Sequence, residues 1–397
     1  MANTLGAYSP IFYAQETLRV MMEMYGMINR VNRTFSDERK AFNKGEYISI
    51  RRPAAMTTQA GGNGTITDLV TETVQIQLDG YREVKFAVTD KDYSFTGDEL
   101  VRDHIRPAAY ALAEYVNTAI TAEHKNIPWY SPWTSTIVAS DVAAGMKVLK
   151  DAGSGISGDS ANIHMGIDTT VDAALQGLSE FNAANIAGNT NTALVNGMNP
   201  GRFGVGDFFV DQTFTSFTSG TIVSAATDLV GALSADVALG ATSFPMDSLA
   251  AAETVVAGDT FIVAGSSQRY AITAANTLSS NAMTVVATPP AAIAYTSADV
   301  VTFETKATAY ADAYEPNLLF HRDAFALVTA PLPDDSNFLA NLGVDVFTAT
   351  DPISGLSVRA RRAYVDGTAK VAITLDVLYG IKTLNPNYAV VMRRNTP

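Results

Sequence analysis

Apolar positions change their period several times along the chain, and each change marks an element. Phe12, Leu18, Met21, Met22, Tyr25, Ile28 and Val31 recur at helical spacing, which predicts a helix with one broad apolar face. Ser9 and Pro10 supply an N-cap and a first-turn proline, and the helix is expected to run to about Phe35. The period then drops to two. Gly45 to Ile50 reads as one strand and Thr71 to Thr89 as another, alternating through Val74, Ile76 and Leu78. Between them, Arg51 to Val70 holds Pro53, the tip Gly61-Gly62-Asn63-Gly64 and almost no large apolar residue. An isolated two-stranded ribbon is marginally stable in water. A limb of about 20 residues at roughly 3.3 Å each reaches on the order of 60 Å. Such a limb is expected to find its packing partner on another subunit, which points to assembly rather than catalysis.

Helical spacing returns after the ribbon. Thr96, followed by Asp98 and Glu99, reads as an N-cap with acidic first-turn residues. Leu100, His104, Pro107, Tyr110, Leu112, Tyr115, Val116 and Ile120 continue the pattern. Pro107 donates no backbone hydrogen bond, so either the helix kinks near Arg106 or a second helix begins at Pro107. Further on, Ser140 to Lys150 reads as a capped helix ended by Gly153, Asn162 to Ile167 as a buried strand and Asp168 to Phe181 as a helix. Gly204 to Asp211 reads as the next strand, so helices and strands alternate in one α/β-like block. Gly/Asn-rich turns surround Asn185 to Pro200.

Composition shifts at about Thr213. From there to about Glu304 the chain is rich in Ala, Thr, Ser and Val, and Arg269 is its one basic residue. Short strands at Thr260 to Ala264, Arg269 to Thr273 and Met283 to Ala287, punctuated by Gly258-Asp259 and Pro289-Pro290, predict an inserted β barrel or sandwich. The earlier style resumes from Asn317 to Pro331. The tail alternates like antiparallel strands at Val358 to Arg362, Lys370 to Thr374 and Tyr388 to Met392, with Gly367 in a hairpin turn.

The 397 residues allow two or three domains, and 47% hydrophobic with 17% charged residues describes a folded chain. There is no cysteine, which excludes disulfides and thiolate metal sites. Neither a signal peptide nor a membrane span is expected, so the protein is expected to be soluble and to stay where it is made. The net charge of −13 is uneven. Residues 1–135 carry 14 basic and 16 acidic side chains, residues 136–345 carry 6 and 21, and residues 346–397 carry 7 and 3. An acidic majority argues against a dedicated nucleic-acid binder, which needs clustered Lys and Arg.

Candidate chemistry is sparse. His104, His124, His164 and His321 form no metal-binding spacing, and His164 reads as a satisfied core residue. Neither a G-x-S-x-G elbow nor a Walker loop occurs. The glycine-rich run Gly201-Arg202-Phe203-Gly204-Val205-Gly206 does not join a strand to a helix as a phosphate loop must, so it reads as a turn. Asp334-Asp335 reads as solvated charge, and Asp90 and Asp92 as an exposed strand end. No catalytic, cofactor or metal residue is therefore expected. The candidates that remain are for assembly. Arg51 and Arg52 on the outgoing side of the ribbon and Asp68 and Glu72 on the return could pair within or between subunits. Met21, Met22 and Tyr25, in a methionine-rich turn, suit an adaptable interface, although the same stripe also reads as core.

In their order, these pieces resemble the major capsid protein of tailed bacteriophages, with the Hong Kong 97 capsid fold. Local likenesses are Ala14 to Leu18, the stretch Arg106-Pro107-Ala108-Ala109-Tyr110 entering the long helix, and Gly206 to Asp211. Asn317 to Val328 looks like the strand and turn closing the apical domain in coat proteins of short-tailed phages. Gly258 to Gly265, within the Thr213 to Glu304 stretch, is similar to the insertion domain of the Salmonella-podovirus-like subgroup. The resemblance implies an α+β fold with an N-terminal helical arm (1–43), an extended β-hairpin loop (44–95) and a spine helix. It further implies a peripheral domain (96–135 and 346–397), an axial domain (136–212 and 305–345) and an inserted all-β domain (213–304). By the same resemblance the chain is a non-enzymatic subunit of an icosahedral shell, built of hexamers and pentamers around double-stranded DNA and assembled in the bacterial cytoplasm. Scaffolding, portal and decoration proteins would be its partners, without cofactors and with weak, non-specific DNA contacts. The residues also leave open a secreted surface-layer or adhesin-like protein and, on weaker grounds, an α/β enzyme.

Overall fold

The computed structural model describes residues 10–24, 26–34, 47–52, 72–134, 136–153, 159–178, 205–224, 229–249, 254–279, 281–304, 313–333, 344–351 and 356–395. The ribbon tip, Asp68, Tyr25, residues 201–204 and the Asp334-Asp335 pair lie outside them. Along the chain come α1 (Pro10–Met24), α2 (Gly26–Arg30), β1 (Tyr47–Arg52), β2 (Glu72–Gln77) and β3 (Gly80–Thr89), which runs straight into α3 (Asp90–Thr121). Then follow β4 (Tyr130–Thr134), α4 (Ala139–Ala152), β5 (Ile163–Ile167), α5 (Thr169–Gln176), β6 (Asp207–Val210) and β7 (Phe217–Thr218). An all-β stretch comprises β8 (Leu229–Leu233), β9 (Ser243–Asp247), β10 (Thr254–Val255), β11 (Thr260–Val263), β12 (Arg269–Ile272), β13 (Asn276–Thr277), β14 (Met283–Thr288) and β15 (Val300–Phe303). The chain closes with β16 (Ala313–Tyr314), β17 (Asn317–His321), β18 (Phe325–Ala330), β19 (Val344–Thr350), β20 (Ser357–Val365), β21 (Lys370–Thr383) and β22 (Ala389–Asn395). These elements divide into two compact units, one of Met1–Ile28, Asn32–Val116 and Ala326–Leu384, the other of Asn29–Val31, Asn117–Phe325 and Asn385–Pro397.

The first unit is organised by β21, whose length lets it pair with β3 along one edge and with β20 along the other. β19 extends the sheet beyond β20. Helix α1 lies against β19 and β20, burying Tyr13, Ala14, Val20 and Met21, the face its sequence spacing marks. The ribbon strands β1 and β2 pair from Tyr47 opposite Gln77 to Arg52 opposite Glu72. Ile48, Ile50, Ile76 and Leu78 pack with Ala326, Val328 and Ala330 of β18, so the base of the ribbon has its core inside its own unit. Gly380 of β21 sits so close that a Cβ there would meet the Gln77 carbonyl.

Several elements differ from the sequence reading. The single strand expected over Thr71–Thr89 is two strands with different partners, β2 on β1 and β3 on β21. The break falls at Leu78-Asp79, just before Gly80, where a Cβ would stand 2.7 Å from the Tyr379 ring. A glycine is what allows the chain to change sheets there. The helix expected from Thr96 begins at Asp90, directly after β3, so Asp90 and Asp92 belong to its first turn and not to a strand end. The helix passes through Pro107 without dividing, and Ile105, Ala108, Ala109, Leu112 and Ala113 are buried on either side of it. Gly367 lies in the β20–β21 turn as expected, and the left-handed position there is Ala369, with φ of 46°.

The second unit holds a five-stranded sheet in the order β4-β22-β17-β5-β6. β4 runs parallel to β22 and β6 parallel to β5, whereas β17 is antiparallel to both of its neighbours. Val142, Met146 and Leu149 of α4 pack on Met165, Leu319, Val390 and Met392 of the sheet. Beside this sheet in sequence, β11-β12-β14-β9-β8-β15 close into a barrel, and closure leaves no free sheet edge. Phe244, Phe261, Tyr270 and Phe303 fill its interior, and the Tyr270 and Tyr295 hydroxyls meet at 2.7 Å. β7 and β16 pair where the chain leaves and re-enters the rest of the unit.

Candidate assembly surfaces

Seven residues were singled out from the sequence. Arg51 and Arg52 lie in β1, with backbones opposite Thr73 and Glu72, so the register places Arg52 and Glu72 directly across the ribbon. Asp68 and Tyr25 fall outside the described residues. Met21 and Met22, adjacent in α1, separate: Met21 is fully buried, whereas Met22 is 37% exposed. Neighbouring helix positions point about 100° apart, so one faces the sheet and the other the rim.

Met22 belongs to a groove of about 670 Å³ between α1 and β19, lined also by Leu18, Arg19, Phe347 and Asp351. Ile11 and Phe12 of the same helix are exposed as well. Together they give α1 a second, outward apolar stripe beside the one that anchors it.

The strongest electrostatic feature of the first unit escaped the sequence reading. Asp376 of β21 is fully buried. It accepts two bonds from Arg359, at 3.0 Å from Nε and 2.7 Å from Nη2, and one from the Tyr81 hydroxyl at 2.9 Å. Arg361 Nη2 stands 3.0 Å from the same carboxylate and 2.8 Å from Glu83. Burial, and then the bond to Asp376, push the Tyr81 hydroxyl up from its ordinary value. The cluster ties β20, β21 and β3 together at one level, which fixes register. The one signal available beforehand is the alternation of Arg359 and Arg361, which strand geometry places on one face.

In the second unit, cations stack on aromatic rings where the barrel meets the sheet. Arg269 of β12 lies 4.6 Å from the centre of the Tyr130 ring and 3.0 Å from Glu304. Arg393 of β22, which is buried where Arg269 is only half-buried, lies 4.8 Å from Tyr130 and 5.0 Å from Tyr314. Such contacts are worth from about 0.5 kcal/mol when exposed to about 2 kcal/mol when desolvated. The lone basic residue of the insert thus anchors it to β4.

Two histidines are held neutral. Burial pushes His124 down to about 4; its Nδ1 donates to the Thr121 carbonyl at 2.9 Å, while Nε2 is buried without a partner. His164 is likewise lowered to about 4, by burial first and then by Arg30. It is half-buried rather than in the core, and its Nδ1 is not satisfied, because it stands 4.0 Å from Asp207, too far for a hydrogen bond. Asp207 pairs instead with Arg30. Among the described residues no group of three His, Asp or Glu side chains is placed to hold a metal. No described helix is long and apolar enough to cross a membrane.

No protein-family profile matches the chain. No curated protein matches it. Solved structures with a similar chain include one titled Mycobacterium phage Che8, at 14% identity and a TM-score of 0.49, covering 93% of this chain and 90% of that one. Another is the acidic stable capsid structure of Helicobacter pylori bacteriophage KHP30, at 10% identity and a TM-score of 0.46, covering 100% and 93%. A third is the capsid structure of the cyanophage P-SCSP1u, at 9% identity and a TM-score of 0.43, covering 89% and 85%.

Proposed function

We propose that this chain is the major capsid subunit of a tailed bacteriophage, self-assembling into the hexamers and pentamers of an icosahedral shell. The ribbon carries the reading. Ile48 and Ile50 of β1, Ile76 of β2 and Leu78 just after it are buried in the subunit's own core. The intervening sequence has little left with which to build one. Two strands alone do not hold, so a neighbouring subunit completes the limb. The order of ribbon, long helix, mixed sheet, inserted barrel and C-terminal antiparallel strands supports the same reading, as does the sequence resemblance.

On this reading residues 1–43 form an N-terminal arm and 44–95 the extended loop. Residues 96–135 with 346–397 form the peripheral domain, 136–212 with 305–345 the axial domain, and 213–304 an insertion domain. Arg51, Arg52, Asp68 and Glu72 set the register between neighbours, and the outward stripe of α1 at Met22, with Tyr25 following it in sequence, joins a contact. The protein catalyses nothing. It encloses double-stranded DNA that an acidic chain holds weakly, and scaffolding, portal and decoration proteins complete the virion, built in the bacterial cytoplasm.

Sedimentation velocity tests this. The full chain should sediment as large, uniform particles, and a deletion of Met56 to Leu69 should sediment as a folded monomer or single capsomer. Large particles from the deletion, or a monomer from the full chain, would remove the basis of the reading.

A further inference from the structure

The dipeptide Asp-Gly occurs twice in the chain, at Asp79-Gly80 and at Asp366-Gly367. It is the least hindered setting in which a backbone nitrogen can attack the preceding side-chain carboxyl, because glycine carries no Cβ to shield that nitrogen. The attack needs more than the pair. The glycine nitrogen must swing toward the aspartate Cγ by rotation about the backbone bond between them, so the glycine has to be free to leave its place. The two copies of the dipeptide differ in that respect.

At Asp79-Gly80 the chain is held. Gly80 opens β3 opposite Tyr379 in the ladder with β21, and the Tyr81 N–H donates to the Asp79 carbonyl at 3.0 Å. A Cβ on Gly80 would stand 2.7 Å from the Tyr379 ring and 2.9 Å from the Tyr379 carbonyl oxygen, so the glycine has no room to swing. At Asp366-Gly367 the chain is loose. Residues 364–369 are all exposed, and a Cβ on Gly367 would meet nothing within 4 Å. Pairing of β20 with β21 stops at Val365 opposite Lys370, which leaves Asp366–Thr368 as a single tight turn outside the ladder. The Ala369 N–H closes that turn on the Asp366 carbonyl at 3.2 Å, and the Thr368 hydroxyl reaches the Val365 carbonyl at 3.4 Å. Both bonds are at or beyond the long end of their range. Ala369, with φ of 46°, holds a left-handed conformation that strains any residue with a Cβ. The turn therefore opens locally, without disturbing the strands on either side.

We propose that Asp366-Gly367 is a self-modification site, where the Gly367 amide nitrogen closes on Asp366 Cγ and the hairpin tip passes through a succinimide to isoaspartate, while Asp79-Gly80 is spared. In the first step a C–N bond forms and the carboxyl C–O bond breaks. The oxygen leaves as water, taking the amide proton and the carboxyl's own proton. A second water then opens the ring. Addition at the main-chain carbonyl breaks its bond to the Gly367 nitrogen and leaves isoaspartate, with the chain running on through Cβ and Cγ. Addition at the side-chain carbonyl restores aspartate. Water is the one reactant. The product keeps the mass and the charge but gains a main-chain atom, so the tip that presents the exposed Tyr364 and Val365 changes shape.

Ageing of the full chain at mildly acidic pH, followed by tryptic mapping, tests this. Trypsin releases residues 363–370 as one peptide, in which isoaspartate appears as a second peak of unchanged mass. The peptide with Asp79 also holds Asn63-Gly64, whose deamidation adds mass and is told apart by fragmentation. Isoaspartate should build up at Asp366 at least about tenfold faster than at Asp79, because one site opens locally and the other must break a ladder. In Gly367→Ala, whose methyl meets no neighbour but shields the nitrogen, the Asp366 product should fall by a similar factor. In urea, where both local structures are lost, the two sites should react at about equal rates. No product at Asp366, equal rates in the folded chain, or a difference that persists in urea overturns the proposal.

Discussion

Asp376 is fully buried, and its carboxylate is met by Arg359, Arg361 and Tyr81. Replacing it removes one partner from a buried charge cluster, which typically costs about 3–5 kcal/mol because the remaining charges stay desolvated. Asp376→Ala should therefore lose stability on that scale in urea unfolding, whereas Arg362→Ala, on an exposed pair with Asp345, should stay within about 1 kcal/mol. Equal effects for the two would show that burial does not set the strength here. His124 gives a pH dependence. Its folded value of about 4 lies below the ordinary 6.5, so the unfolded chain binds the proton more tightly. Its penalty is absent above pH 6.5 and grows as pH falls toward 4. His124→Gln should flatten the loss of stability between those two values, and an unchanged acid limb in the melting profile would assign that loss elsewhere. At this scale little was legible beforehand. Tyr81 and Asp376 are 295 residues apart. No local pattern announces such pairs.

Elements with a strong period of their own were legible: α1 from Pro10, α4 up to Gly153, α5 after Asp168, and the short strands of the insert. Boundaries set by tertiary contact were not. The alternation from Thr71 to Thr89 runs unbroken through Leu78, and only the Tyr379 ring against Gly80 shows why the chain changes partners. Gly80→Ala should consequently be costly despite keeping the alternation, by about 1–3 kcal/mol for overpacking. Closure of six strands into a barrel was equally invisible, since sequence spacing does not tell a barrel from a sandwich. The barrel's ends are close, because Phe217 of β7 pairs with Tyr314 of β16. Replacing residues 225–304 by a short Gly/Ser linker should leave the five-stranded sheet folded, with some stability lost along with the Arg269 anchor. A chain that no longer unfolds cooperatively after that replacement would mean that the barrel and the sheet share one core.

For the whole molecule, the order of pieces said more than any single motif. A ribbon with its apolar residues committed at the base, a 32-residue helix behind it and a barrel interposed in the second unit make little sense as an isolated machine. On the proposed reading they are the parts of one tile in a shell. The same capsid reading makes the acidic middle part of a container that must not grip its cargo, and salt-resistant binding of free duplex DNA by purified shells would contradict that reading. The ribbon decides the matter. Electron microscopy of the expressed full chain tests it most directly. The account predicts closed, uniform shells in whose reconstruction the segment between Arg52 and Glu72 lies over an adjacent subunit. A uniform field of monomers or small oligomers, or shells in which that segment touches only its own subunit, would contradict it.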